Sequence, residues 1–225
     1  MHFPFRYWLT RAGGCLTPNQ VRAVNATAKY LEIGQQLRQF SIRLGPTFHT
    51  REDLFDLVGR EVGNRNVLYI EFGVYQGAAI RYWSKLLSHS TSKLHGFDSF
   101  EGLPEEWTSA TAKGHFSTEG TIPTIDDPRV KFFKGWFDQK LPAYEVPDHE
   151  VLVLNFDADL YSSTKCALDR MSTYIVPGTY LYFDEFSDLQ HEFRAFMEFC
   201  SSSGRRFVMR GATTAMLCVL FQCVA

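Results

Sequence analysis

From residue 67 onward the chain alternates between short, nearly unbroken apolar runs and longer stretches in which apolar positions recur every three or four residues. The first pattern is that of strands buried on both faces, the second that of amphipathic helices. Val67-Leu68-Tyr69-Ile70-Glu71-Phe72 is the first such strand. The turn Gly73-Val74-Tyr75-Gln76-Gly77 follows, and then a helix pattern carried by Ala78, Ala79, Ile80, Tyr82, Trp83, Leu86 and Leu87. Lys93–Asp98 predicts a second strand, Val130–Lys134 a third, and the wholly apolar-to-amide run Val151–Phe156 a fourth. A helix is expected after it, capped near Ser162 or Ser163, with Ala167, Leu168 and Met171 inward. Thr179–Phe183 predicts a fifth strand, and Leu189, Phe193, Phe196 and Cys200 lie on one side of a further helix that Gly204 stops. Arg205–Arg210 and Thr214–Gln222 predict strands six and seven across a turn at Gly211-Ala212. So short a connection makes that last pair antiparallel, because a parallel pair needs a long crossover.

The first third reads differently. Residues 1–16 are aromatic and then glycine-rich, and predict an irregular arm. Thr17-Pro18 is an N-cap followed by proline at the first helical position, and predicts a helix to about Leu44, where Gly45-Pro46 stops it. Thr50-Arg51-Glu52-Asp53 resembles a capping box and predicts a second helix to about Val62. The expected class is therefore α/β: a Rossmann-like sheet of seven strands, mostly parallel with the last antiparallel, and an N-terminal helical extension. Residues 1–49 are expected to form the arm and helix, as a cap or lid over a site mouth or as an oligomer contact, and residues 50–225 the main domain.

In an open α/β sheet the ligand lies at the carboxyl ends of the parallel strands. Glu71, Asp98, Asp157, Asp159, Asp184 and Glu185 all fall there. Glycines in the first turn allow a tight bend and a close approach of backbone to ligand. Asp98 stands 21 residues after Gly77, where an acid at the tip of the second strand accepts hydrogen bonds from ribose hydroxyls. Asp159 sits beside a helix start and reads equally well as a turn residue. Residues 104–128 carry no periodicity, the mark of a functional lid or a mobile stretch, and place His115 as a candidate to meet substrate.

Composition narrows the alternatives. A chain of 225 residues, 45% hydrophobic and 21% charged, builds one large core without staples. A net charge of −2 gives no electrostatic argument for a nucleic-acid partner. The longest apolar run, Ala215 to Phe221, falls far short of the roughly 20 residues of a membrane span. No signal-peptide pattern opens the sequence. Five cysteines, an odd number without C-x-x-C spacing, point to reduced thiols and a cytoplasmic setting. The aromatic arm leaves room for a homo-oligomer contact.

Four runs together resemble the macrocin O-methyltransferase family: Glu71-Phe72-Gly73-Val74-Tyr75-Gln76-Gly77, Gly96-Phe97-Asp98-Ser99-Phe100-Glu101-Gly102-Leu103-Pro104, Asp157-Ala158-Asp159-Leu160-Tyr161-Ser162-Ser163-Thr164, and Asp184-Glu185. They occur in the family's order and span about residues 50 to 210. The resemblance implies a class I fold, S-adenosylmethionine as methyl donor, a divalent metal such as Mg²⁺, and a hydroxylated small molecule, a sugar or glycoside, as acceptor. It implies that Glu71, Gly73 and Gly77 frame the methionine part of the donor, that Asp98 with Ser99 holds the ribose, and that the Gly135-Trp136 turn lies near the adenine. It also implies Asp157 as metal ligand and general base, with Asp184 and Glu185 as the other ligands. The family's common pair there is Asp-Asp, so Glu185 is a departure by one methylene. Two other readings remain: a nicotinamide-dependent oxidoreductase, which would use a fuller G-x-G-x-x-G turn and leaves the later acids idle, and a non-catalytic S-adenosylmethionine-binding protein.

Overall fold

The computed structural model describes residues 4–108 and 110–225. The strands are β1 (Thr47–Phe48), β2 (Val67–Phe72), β3 (Lys93–Asp98), β4 (Val130–Lys134), β5 (Val151–Phe156), β6 (Tyr180–Phe183), β7 (Phe207–Thr213) and β8 (Val219–Cys223). They form one sheet in the order β1-β7-β8-β6-β5-β2-β3-β4, in which every neighbouring pair is parallel except those made by β8. The α/β class and the antiparallel last strand are as expected. The strand count is not: Thr47 and Phe48 pair with Ala212 and Thr213 and add an eighth strand at the edge. Two residues are too few to show a period, and only the partner strand makes them one.

Helices α3 (Arg51–Val62) and α4 (Ala78–Leu86) cover one face, and α6 (Tyr161–Met171) and α7 (Glu192–Ser203) the other, with the one-turn α5 (Phe137–Lys140) following β4. The strand period of two divides the residues between these layers. Leu68, Ile70 and Phe72 of β2 join Leu152, Leu154 and Phe156 of β5 in one core. Val67 and Tyr69 join Val151 and Val153 in the other, against Leu54, Phe55 and Val58 of α3 and Trp83 of α4. Both central strands are buried throughout, which is why their sequences barely alternate.

Several boundaries moved, each for a local reason. Helix α1 (Phe5–Gly13) stands where an irregular arm was expected; residues 1–3 of that arm lie outside the described residues. Helix α2 (Pro18–Gln39) starts at the expected Thr17 cap, which closes as a full capping box, Thr17 Oγ1 accepting from the Gln20 amide and the Gln20 side chain accepting from the Thr17 amide. It ends five residues before Leu44. Ser41 turns left-handed at φ 59°, and the amides of Ser41 and Ile42 donate to the carbonyls of Arg38 and Leu37. Buried Ile42 and Leu37 complete this Schellman cap, so the stop precedes Gly45-Pro46. Helix α6 starts at Tyr161 with Leu160 at its cap, not at Ser162 or Ser163. The hairpin turn falls at residues 214–218, because Gly211 and Ala212 belong to β7 beyond an irregularity between Met209 and Gly211. The ring of Phe48 would lie within 2.4 Å of a Cβ at Gly211, so that glycine serves packing and not a turn.

The first two helices contribute little to either core. No residue of α1 is buried, and α2 buries only Ile33 and Leu37. No helix among the described residues is long and apolar enough to cross a membrane. All five cysteines are free thiols.

Candidate active site

The tips of β2, β3, β5 and β6, joined by the turn after β4 and residues of the 104–128 loop, enclose a cavity of about 780 Å³, within the range of small-molecule sites. Glu71, Gly73, Asp98, Ser99, Gly135, Trp136, Asp157, Asp159, Asp184 and Glu185 all line it. Gly77 is not in the wall itself. It stands at the cap of α4 with φ 75°, beside Pro123 of the loop.

Gly73 explains the narrow floor. Its amide donates to the Phe97 carbonyl while the Asp157 amide donates to the Phe72 carbonyl, so the β2 and β5 tips close on each other. A Cβ at Gly73 would sit 1.7 Å from the Asp157 carbonyl oxygen, and φ is +92°. Only glycine fits. Asp98 then ties the turn from the next strand. Its Oδ2 accepts from the amides of Val74 and Tyr75, each at 2.8 Å, and its Oδ1 accepts from the Phe100 amide at 2.7 Å. A carboxylate has about four acceptor positions, so this one holds two loops in place and keeps capacity toward the cavity. Ser99 Oγ accepts from the Glu101 amide and donates to the Gly102 carbonyl, closing the turn that follows.

Glu71 lies on the α3 and α4 face of β2, in register with Asn155 of β5. It is 1% exposed. The Tyr69 hydroxyl donates to its Oε2 at 2.8 Å and accepts from Asn155 Nδ2 at 2.8 Å. Burial, only partly offset by the Tyr69 hydrogen bond and Arg51, pushes the Glu71 carboxyl up to about 8.

The β5 and β6 side gathers acids around one cation. Asp157 is driven well above the carboxylate range by burial and then by Asp184, Glu71, Glu192 and Asp159. Burial followed by the charges of Asp184 and Asp98 takes Asp159 to about 7, and burial followed by Asp184 and Asp159 takes Glu185 to about 7. Asp159 is also in the left-handed region, at φ 59°. Asp184 Oδ1 accepts from the Tyr182 hydroxyl at 2.6 Å and from the Cys218 thiol at 3.5 Å. Arg51 Nη1 reaches between the two strands, 3.6 Å from Asp184 Oδ1 and 4.0 Å from Asp157 Oδ2. Burial works against the charge of Arg51, but Asp184, Tyr182 and Asp157 outweigh it and hold the guanidinium above its ordinary value.

Two of these groups were missed in the sequence. Arg51 looked like one charge in a helix start. Glu192, wholly buried at the first position of α7, accepts from the amides of Ala158 and Glu185 and so braces both acid-bearing loops. Its signal, an acid in the first turn of a helix, is too common to single out. His115 is the opposite case: the cavity is lined by its neighbours Lys113 and Phe116 and not by His115. That ring is exposed and packs edge-on against Phe116 at 4.3 Å, because the Leu103 amide pulls the His115 carbonyl, and with it the backbone, toward the turn after β3. The loop around it, in which Ser109 lies outside the described residues, forms cavity wall through Pro104, Trp107, Lys113 and Phe116.

Asp157, Asp184 and Glu185 do not converge as a metal-ligand set. Among the described residues no three Asp, Glu, His or Cys side chains come close enough to hold an ion. Asp184 is engaged by a hydroxyl, a thiol and a guanidinium, and the charge facing Asp157 and Asp184 is already Arg51. As arranged, the donors do not fit a divalent cation.

The model of the macrocin O-methyltransferase family matches residues 61–206, well over half the chain and every acid described above. The chain belongs to the macrocin O-methyltransferase family. A curated relative in Streptomyces olivaceus, 8-demethyl-8-(2,3-dimethoxy-alpha-L-rhamnosyl)-tetracenomycin-C 4'-O-methyltransferase, is 26% identical over 159 residues. The match covers 56% of this chain and 57% of that protein, so the chain spans little more than half the length of that relative. The fold is shared with the O-methyltransferase NovP (TM-score 0.62, 19% identity, 78% of this chain and 80% of the other). It is shared also with the calicheamicin methyltransferase CalS11 (TM-score 0.60, 18% identity, 92% and 93%). Membership in this family favours methyl transfer over the nicotinamide reading.

Proposed function

We propose that this protein transfers a methyl group from S-adenosylmethionine to a hydroxyl of a sugar or glycoside, in a reducing, cytoplasmic setting. The observation that carries the reading is the Gly73 floor: family residues from β2 and β5 meet there within one cavity that Asp157 also lines. The curated relative's own name describes transfer to a sugar hydroxyl, which supports this acceptor class.

When bound, the donor supplies a methyl group on positively charged sulfur. Glu71, Gly73 and the Gly77 turn accommodate its amino-acid end, Asp98 and Ser99 its ribose, and Gly135 with Trp136 its base. Pro104, Trp107 and Phe116 cover the mouth and exclude water. Asp157 takes the proton of the acceptor hydroxyl as the oxygen attacks, in line with the departing thioether; holding the reacting atoms roughly 3 Å apart contributes much of the acceleration. Burial and the neighbouring acids favour the protonated form of Asp157, and a base must start ionised; the Arg51 guanidinium, with Nη1 4.0 Å from Asp157 Oδ2, favours that carboxylate form. No step here requires a metal ion.

Calorimetric titration with S-adenosylhomocysteine is expected to give micromolar binding, and NAD⁺ none. Binding of NAD⁺ alone would overturn the reading.

A further inference from the structure

We propose that Arg51 is the resident cation of the Asp157–Asp184 pair and keeps a divalent ion out of it. The proposal deepens the methyl-transfer reading by assigning the positive charge of the acceptor side to a side chain.

Three observations carry it. First, Arg51 is placed by structure and not by chance contact. It is the first residue of α3, behind a capping box in which Thr50 Oγ1 accepts from the Asp53 amide while Asp53 Oδ2 accepts from the amides of Thr50 and His49. The preceding strand β1 is pinned to β7, and the Thr214 amide donates to the Phe48 carbonyl. The edge strand that the sequence did not reveal is thus what delivers Arg51 to the sheet tip. Second, Nη1 approaches both acids at 3.6 and 4.0 Å while Nε turns to Glu52 Oε1 at 3.3 Å, so the guanidinium spans the space between β5 and β6. Seven carboxylates line the cavity, and the cations in its wall are Arg51 and Lys113. Third, Arg51 lies outside residues 61–206, the part that matches the family model. The acids come with the family's segment; their counter-ion comes from outside it.

A divalent ion prefers hard oxygen ligands and needs several of them at close range. Here it would have to evict a guanidinium that cannot lose its charge, and two cations cannot both occupy the space facing this pair. A planar guanidinium also offers directed N–H donors, suited to holding an acceptor oxygen while Asp157 takes its proton.

The test uses the full chain with Mn²⁺ as probe, free Mn²⁺ being counted by electron paramagnetic resonance. No methyl donor or acceptor is present. The wild type and Arg51→Lys are expected to bind weakly, with Kd in the millimolar range. Arg51→Gln is expected to bind at least ten-fold more tightly, and Arg51→Gln with Asp157→Asn to lose that gain. Equal affinity in wild type and Arg51→Gln overturns the proposal. So does micromolar binding by the wild type, a result that needs no variant to fold. Failure of S-adenosylhomocysteine to bind the wild type would sink the methyl-transfer reading and leave the Mn²⁺ comparison intact.

Discussion

The two sides of the cavity are built on opposite principles. On the β2–β4 side the polar groups are occupied with backbone. Asp98 receives three amides, Ser99 closes its own turn, and Gly73 removes a side chain altogether. On the β5–β6 side the carboxylates face one another and a single guanidinium, while Glu192 holds their loops from behind. On the proposed reading the first side is a mould whose shape binds the donor. The second stores unfavourable charge, and it is the side to which the proposed reading assigns proton transfer. Damage to the mould is expected to cost affinity, and damage to the acid side to cost turnover.

The sharpest way to break this contrast is Asp157→Asn. We expect methyl transfer to fall by about 10²- to 10⁴-fold, the usual worth of a general base, with S-adenosylhomocysteine affinity within about two-fold of wild type. Comparable losses in both would merge the two sides into one. A smaller effect is expected from Asp98→Ala. It strands three backbone amides, each loss being on the order of 1 kcal/mol, so affinity for S-adenosylhomocysteine falls by about 10- to 100-fold. Calorimetry that finds the affinity unchanged removes Asp98 from the mould.

The smallest effect concerns stability. The Glu71 carboxyl sits at about 8 in the folded protein against an ordinary 4.5. Below pH 4.5 both folded and unfolded chains hold this proton. As pH rises toward 8 the unfolded chain releases it and the folded chain does not, so Glu71 erodes stability across that window. Asp159 and Glu185, raised to about 7, act in the same direction. Glu71→Gln is expected to flatten the fall in Tm between pH 4.5 and 8. Parallel melting curves for the two proteins would mean that Glu71 is ionised throughout.

The sequence by itself determined the central sheet and the family acids. Strands β2, β3, β5 and β6 announce themselves because burial on both faces demands unbroken apolar runs, and their terminal acids follow from strand direction. The N-cap with proline at Thr17-Pro18 and the capping box at Thr50 were equally legible, since a cap and its partner lie within a few residues of each other. What stayed hidden depended on tertiary packing. Two residues of β1 become a strand only beside β7. The Ser41 stop depends on how Ile42 and Leu37 pack, and Gly211 serves the ring of Phe48. His115 stands beside the cavity-wall residues Lys113 and Phe116 without lining the cavity itself. Arg51 and Glu192 had no local signature, yet one faces the acid pair and the other braces its loops. Local pattern encodes which residues are buried and where elements begin; which charges meet is decided by how the elements pack, as when α3 brings Arg51 to acids on β5 and β6.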